Sequence, residues 1–197
     1  MATPQKYLRT DPTPYRWTRE QYYKMGERGI LTEENVELIE GEVIQMSPIY
    51  SPHATSVTLA DDVMRDIFGK GWVVRVQLPL SLGINSDPQP DVAVVAGKAR
   101  DFKDAHPSSA ALVIEVAVSS LVYDRNTKAS LYAKAGIKDY WIVNVEGEQL
   151  EVYRRPIADA KGEYGFIYAQ TLIFKKGDVV KPLAKPKAAI AIADLLP

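Results

Sequence analysis

The sequence predicts a mixed α/β fold in which helices cover one central sheet. Two short runs rich in β-branched residues, 91–95 (DVAVV) and 112–118 (LVIEVAV), read as buried strands. Residues 53–68 place Val57, Ala60, Met64, Ile67 and Phe68 on one helical face. Residues 140–145 and 149–153 are strongly β and are joined through a short turn at 146–148. The chain therefore runs helix, hairpin, helix, several strands, helix and further strands.

A length of 197 residues suits one domain, large enough to bury a core without staples. Residues 1–15, with Pro4, Pro12 and Pro14, read as an irregular arm, and residues 16–197 as a single domain. Apolar residues make up 46% and charged residues 25%, the balance of a soluble globular chain. With a net charge of −1, any nucleic-acid partner must be held by a local basic patch and not by overall charge. The chain has no cysteine, which excludes disulfides, thiolate zinc sites and thiol nucleophiles. It has no apolar run of about 18 residues and no signal-peptide core, so a cytoplasmic protein without a membrane partner is expected. Nucleophile elbow, Walker loop and dinucleotide glycine fingerprint are all missing.

In order along the chain, Thr18 and Gln21 have capping-box spacing and open a short helix that Gly29 ends. Residues 36–46 form a hairpin turning tightly at Glu40 and Gly41, closed by Pro48 and Pro52. The helix over 53–68 turns Asp61, Asp62, Arg65 and Asp66 outward and stops at Gly69 and Gly71. Strands follow at 72–76 and 78–82, the second an edge or a broken strand because of Pro79. Polar loops lead into the strands of Asp91 and Glu115. A helix over 123–135 turns Leu121, Ala129, Leu131, Tyr132 and Ala135 toward the core, with Gly136 at its C-cap. The last third has strands at 166–168, 171–174 and 179–180 and ends in the apolar segment 190–196.

Each central run carries one acid, Asp91 and Glu115. A carboxylate within a buried strand is expensive to desolvate unless something compensates it. Two on neighbouring strands raise each other's pKa unless a cation stands between them, and the simplest is a divalent metal with oxygen ligands. Period-two alternation puts Asp91, Ala93 and Val95 on one face, and Val113, Glu115 and Ala117 on one face of the other strand. If the strands pair in register, both carboxylates point into one pocket. Asp124, Lys128 and Tyr132 then follow at i, i+4 and i+8 as one stripe on the next helix.

Pro90 and Asp91, followed by an acid within an apolar strand, resemble the PD-(D/E)xK nuclease pattern, whose lysine would stand at position 117, here alanine. More specifically, 36–43 (VELIEGEV), 46–48 (MSP), 90–95 (PDVAVV) and Glu115-Val116 resemble the Uma2-type family of restriction-endonuclease-like proteins. So do Asp124, Arg125, Lys128, Tyr132, Ala135-Gly136 and Tyr140-Trp141, and the likeness covers roughly residues 15–155. The resemblance implies a restriction-endonuclease-like core, a central mixed sheet flanked by helices with extra hairpins on the C-terminal side. It implies cleavage of DNA phosphodiester bonds with Mg²⁺ or Mn²⁺; the competing readings are an inactive nuclease-fold module that binds DNA or protein, and a metal-dependent hydrolase of a smaller phosphorylated substrate. In the nuclease reading Asp91, Glu115 and the carbonyl of Val116 hold the metal. Lys128 replaces the lysine missing at Ala117 and stabilises the transition state. Glu37 is the upstream acid of the same centre, and His53, Gln77, Asp124 and Tyr132 support the pocket.

Plainer roles compete for these residues. Asp91 can simply open a strand, and Glu115 can form a structural ion pair with Lys128 or Arg125. Asp124 suits a helix start and a pair with Lys128. Glu40 and Glu42 compete with Glu37, His53 suits a capping or structural role, and His106 reads as solvated. Tyr132, Tyr140 and Trp141 read as core. The apolar β-rich C-terminal third, with Tyr164, Phe166, Ile167, Tyr168 and Phe174, suggests a homodimer.

Overall fold

The computed structural model describes residues 12–32 and 35–197, so most of the N-terminal arm lies outside the described residues. The capping box at Thr18 is formed: Thr18 Oγ1 accepts from Gln21 N, and the Gln21 side chain accepts from Thr18 N. It opens α1 (Arg19–Glu27). The hairpin consists of β1 (Val36–Ile39) and β2 (Glu42–Gln45), paired from Ile39–Glu42 outward. Its turn residues Glu40 and Gly41 both have positive φ, 47° and 82°, the type I′ geometry that suits a two-residue hairpin loop. α2 (Ser51–Phe68) begins two residues before the expected start and buries Val57, Ala60, Met64 and Phe68.

Then come β3 (Trp72–Val76), β4 (Val92–Ala96) and β5 (Leu112–Ala117). The helix after β5 has three parts: α3 (Leu121–Tyr123), a π-helical stretch (Asp124–Lys128) and α4 (Ala129–Lys134). It starts two residues earlier than expected, and its π turn has no counterpart in the sequence reading. β6 (Asp139–Asn144), β7 (Gln149–Ala158) and β8 (Phe166–Lys175) follow, then β9 (Val179–Val180) and β10 (Ile190–Ala191). The strands expected at 166–168 and 171–174 are one continuous strand, β8.

Residues 78–82 are not a strand. Gln77 adopts φ 49° and Pro79 lacks an N–H, so the chain leaves the sheet there. The amides of Leu80, Ser81 and Leu82 instead donate to the carbonyls of Pro88, Pro107 and Ser86, while Leu80 and Leu82 remain buried.

Six strands form the central sheet in the order β3-β4-β5-β6-β7-β8, and β1-β2 and β9-β10 form two small sheets. Neighbours in the central sheet are antiparallel except β5 and β6. A parallel pair needs a long crossover, and the α3–α4 helix supplies it. One face of the sheet (Val92, Val94, Ile114, Val116, Trp141, Val143) packs with α2 and the C-terminal Ile192 and Leu195. The other face (Ala93, Val113, Ala117, Tyr140, Ile142) packs with Ala129, Leu131, Tyr132 and Ala133 of the crossover helix and with Ile39 of the hairpin. That helix ends as expected at Gly136, φ 75°. Ile137 N donates to Tyr132 O and Gly136 N to Ala133 O, a Schellman motif.

Candidate active site

β4 and β5 pair antiparallel, Val92 with Ile114 and Ala93 with Val113. Continuing that register by one residue sets Asp91 opposite Glu115. β4 begins at Val92, so Asp91 stands at the mouth of its strand and not inside it. Val116 N donates to Asp91 Oδ2 at 2.8 Å, and Asp91 N donates to Glu115 Oε2 at 3.2 Å. Each acid is thereby held by the main chain of the opposite strand.

The crossover helix supplies the cation. Lys128 is almost fully buried, with its side chain 1% exposed; its Nζ donates to Glu37 Oε2 at 2.6 Å and lies 3.2 Å from Glu115 Oε1. Tyr132 donates its hydroxyl to the same Glu115 oxygen at 2.6 Å. Arg125, the other expected partner of Glu115, pairs instead with Glu151. The expected Asp124–Lys128 pair is not formed: Asp124 accepts from Ser120 Oγ at 2.5 Å. The π turn removes the i, i+4 relation on which that pair depends. Ala117, where the lysine of the PD-(D/E)xK pattern would stand, is buried in the same cluster as Ala129 and Tyr132.

His53 does not cap α2, whose N-cap is Tyr50. Its Nε2 lies 3.1 Å from Asp91 Oδ2, and Gln77 donates to Asp91 Oδ1 at 3.3 Å. His53 belongs to the site because α2 starts early enough to put it in the first turn. His106 is not a solvated loop residue either: it is half-buried, with Nδ1 accepting from Arg75 Nη2 at 3.0 Å.

A cavity of about 270 Å³ opens onto this cluster, lined by Glu37, His53, Gln77, Asp91, Glu115, Val116, Asp124 and Lys128. Tyr132 lies behind the lining, under Glu115. Sequence reasoning did not single out Ser120, Gln89 or Tyr50, which line the cavity too. Ser120, four residues before Asp124, had a spacing signal; Gln89 and Tyr50 had none.

Burial pushes the Glu115 carboxyl up to about 8, more than the Lys128 ammonium pulls it down, and the charge of Asp91 adds to the rise. Burial likewise lifts Asp124 to about 6 against the Ser120 hydrogen bond and Lys128. For Lys128, burial favours the neutral amine, but Glu115 and Glu37 prevail and raise its pKa. The hydrogen bond to Asp91 raises His53.

Among the described residues, no three His, Cys, Asp or Glu side chains form a ready-made metal cluster. Two opposed carboxylates beside Val116 nevertheless fit a hard cation that takes its other ligands from water and phosphate oxygens, the habit of Mg²⁺. The donors are all oxygen, and a cation there would favour the ionised form of Glu115 that burial opposes.

The family described as "Uma2: Putative restriction endonuclease" matches residues 19–192. The chain belongs to the Uma2 family. A crystal structure described as a putative nuclease belonging to DUF820, from Anabaena variabilis, superposes with a TM-score of 0.62 at 17% identity, over 81% of this chain and 88% of that one. At that identity the likeness speaks for the fold, a mixed sheet flanked by helices. No curated protein matches the chain. Membership of Uma2 supports a nuclease-like function. Among the described residues, no helix of this Uma2 protein is long and apolar enough to cross a membrane.

Proposed function

We propose that this Uma2 protein is a metal-dependent endonuclease hydrolysing DNA phosphodiester bonds in the cavity beside Asp91 and Glu115. The observation that carries the reading is the meeting of Asp91, Glu115 and Lys128 in one cavity, from two strands and a helix. Asp91 and Glu115, with the carbonyl of Val116, would hold Mg²⁺ or Mn²⁺. Such an ion lowers the pKa of a water and offsets charge on phosphate oxygens.

The rest is the work of the chain's own groups. An ammonium has three N–H donors. Glu37 takes one from Lys128 and Glu115 stands in ion contact at 3.2 Å, which leaves the ammonium a donor for a phosphate oxygen whose charge grows in the transition state. Glu37 then acts by positioning Lys128 and keeping it protonated. Val116 N and His53 fix Asp91 Oδ2, Gln77 fixes Oδ1, and Tyr132 fixes Glu115 Oε1, so both carboxylates are preorganised.

The double pairing of buried Lys128 favours one alternative, a nuclease fold kept as an interaction module with its acids in a salt-bridge network. The two part on a direct assay of supercoiled, linear and single-stranded DNA with Mg²⁺ or Mn²⁺, beside Asp91→Ala. Metal-dependent cleavage lost in the variant supports the nuclease. Intact DNA under every condition supports the module. Tyr164, Phe166, Tyr168 and Phe174, expected at a dimer interface, pack instead against the protein's own core. We still propose a symmetric homodimer, because β8 is an edge strand and Ile157 and Ile173 near it are 44% and 48% exposed.

A further inference from the structure

Resting on the nuclease reading of this cavity, we infer that it takes unpaired nucleotides, with a nucleobase stacked on Tyr50 beside the reacting phosphate. Ile49 and Tyr50 line the cavity yet are 50% and 63% exposed, two large apolar side chains left in water at its mouth. They are held there by the backbone. Pro48 and Pro52 bracket them and restrict the chain on both sides. Tyr50 is the N-cap of α2, and its carbonyl accepts from Ala54 N at 3.0 Å. An aromatic ring on so fixed a main chain loses little freedom when a ligand covers it.

The polar part of the lining fits a base as well. Gln77 and Gln89 each give one amide N–H to the protein, to Asp91 Oδ1 and Val36 O, and keep a second N–H and a carbonyl oxygen, the donor and acceptor that base edges require. The charge of the lining disfavours a duplex. Among the described residues, Lys128 is the one lysine or arginine that lines the cavity, and it is buried against Glu37 and Glu115. A duplex brings two phosphate backbones that need cationic neutralisation, and its bases are stacked away from Tyr50. An unpaired strand brings one backbone and open base faces, and each base stacked on an aromatic ring contributes substantially to affinity.

The test uses the full chain with Ca²⁺, which takes oxygen ligands as Mg²⁺ does, so that the cavity acids are offset while the oligonucleotide is bound. An oligonucleotide carrying 2-aminopurine is titrated as a single strand and as a duplex, with affinity read by anisotropy and stacking by the quenching of 2-aminopurine. The single strand should bind more tightly and be quenched. Tyr50→Ala should weaken it about 5- to 150-fold, the range of one base–aromatic contact. Tyr50→Trp should preserve it, and duplex affinity should be the same in all three proteins. Equal or tighter duplex binding, an unchanged single-strand affinity in Tyr50→Ala, or no binding of either form overturns the inference. Mn²⁺-dependent cleavage in parallel separates the two claims. Duplex cleavage indifferent to Tyr50 sinks the stacking and keeps the nuclease; Tyr50-dependent binding without cleavage of any DNA does the reverse.

Discussion

Lys128 is a charge buried where only its partners make it tolerable. Lys128→Ala leaves Glu37 and Glu115 facing each other without a counter-charge, and breaking a buried pair in this way costs about 3–5 kcal/mol. Urea unfolding should show a loss of that size, and a change under about 1 kcal/mol would mean that the pair is far more solvated than its burial says. Any catalytic loss must be measured under conditions where the variant stays folded, and loss of one transition-state contact should then lower kcat about 10²–10³-fold. The sequence exposed part of this site and hid part. Asp91 and Glu115 were legible because strand parity is strict and an acid in an apolar run stands out. Glu37 was named, but its bond to Lys128 spans 91 positions, and no periodicity reaches across that distance. His53 was underrated because its role depends on where α2 begins and on a strand it meets only in the fold.

At the scale of elements, the hairpin turn and the π stretch decide where Glu37 and Lys128 stand. Gly41→Ala forces a side chain onto φ 82° and brings its Cβ to 2.9 Å from the Arg16 backbone. Gly136→Ala meets φ 75° but open space. Both should lose about 1 kcal/mol to backbone strain. Gly41→Ala should lose more and lower the melting temperature further, and equal melts would contradict the close approach to Arg16. The π stretch is tied to β7 through Glu151, which accepts from Arg125 Nε at 2.9 Å and also from Tyr153, Asn144 and Gln149. Burial alone would raise the Glu151 carboxyl, but these hydrogen bonds prevail and hold it below its ordinary value of 4.5. A lowered folded pKa gives stability that is present above the unfolded value and is lost as pH falls through the folded one. Glu151→Gln should therefore flatten the fall in unfolding free energy below about pH 4.5, measured by denaturant titration between pH 6 and 3. An unchanged slope would remove Glu151 from the acid response. The sequence could not reveal the π turn, because an α-helical period was assumed on both sides of it. It misread 78–82 for the same kind of reason: alternation predicts extension, and extension without ladder partners is a loop.

The molecule as a whole places its chemistry at one end of a sheet, where two strand ends, a hairpin, a helix start and a crossover helix converge. Fold class, strand identities and the two acids were legible from local pattern, while the convergence itself depends on register and could only be conditional in the sequence. The exposed edge at β8 leads to a prediction at this scale. Light scattering at micromolar concentration should give twice the 21.9 kDa mass of the chain, and a monomeric mass would contradict the dimer. The central claim, that Asp91 and Glu115 form one cation site, is tested most directly by calorimetric titration of Mn²⁺ into the wild type, Asp91→Asn, Glu115→Gln and the double variant. One site in the wild type should vanish in either single variant, with the double variant no worse, because each acid is useless to the ion without the other. Undiminished Mn²⁺ binding in either single variant would contradict it.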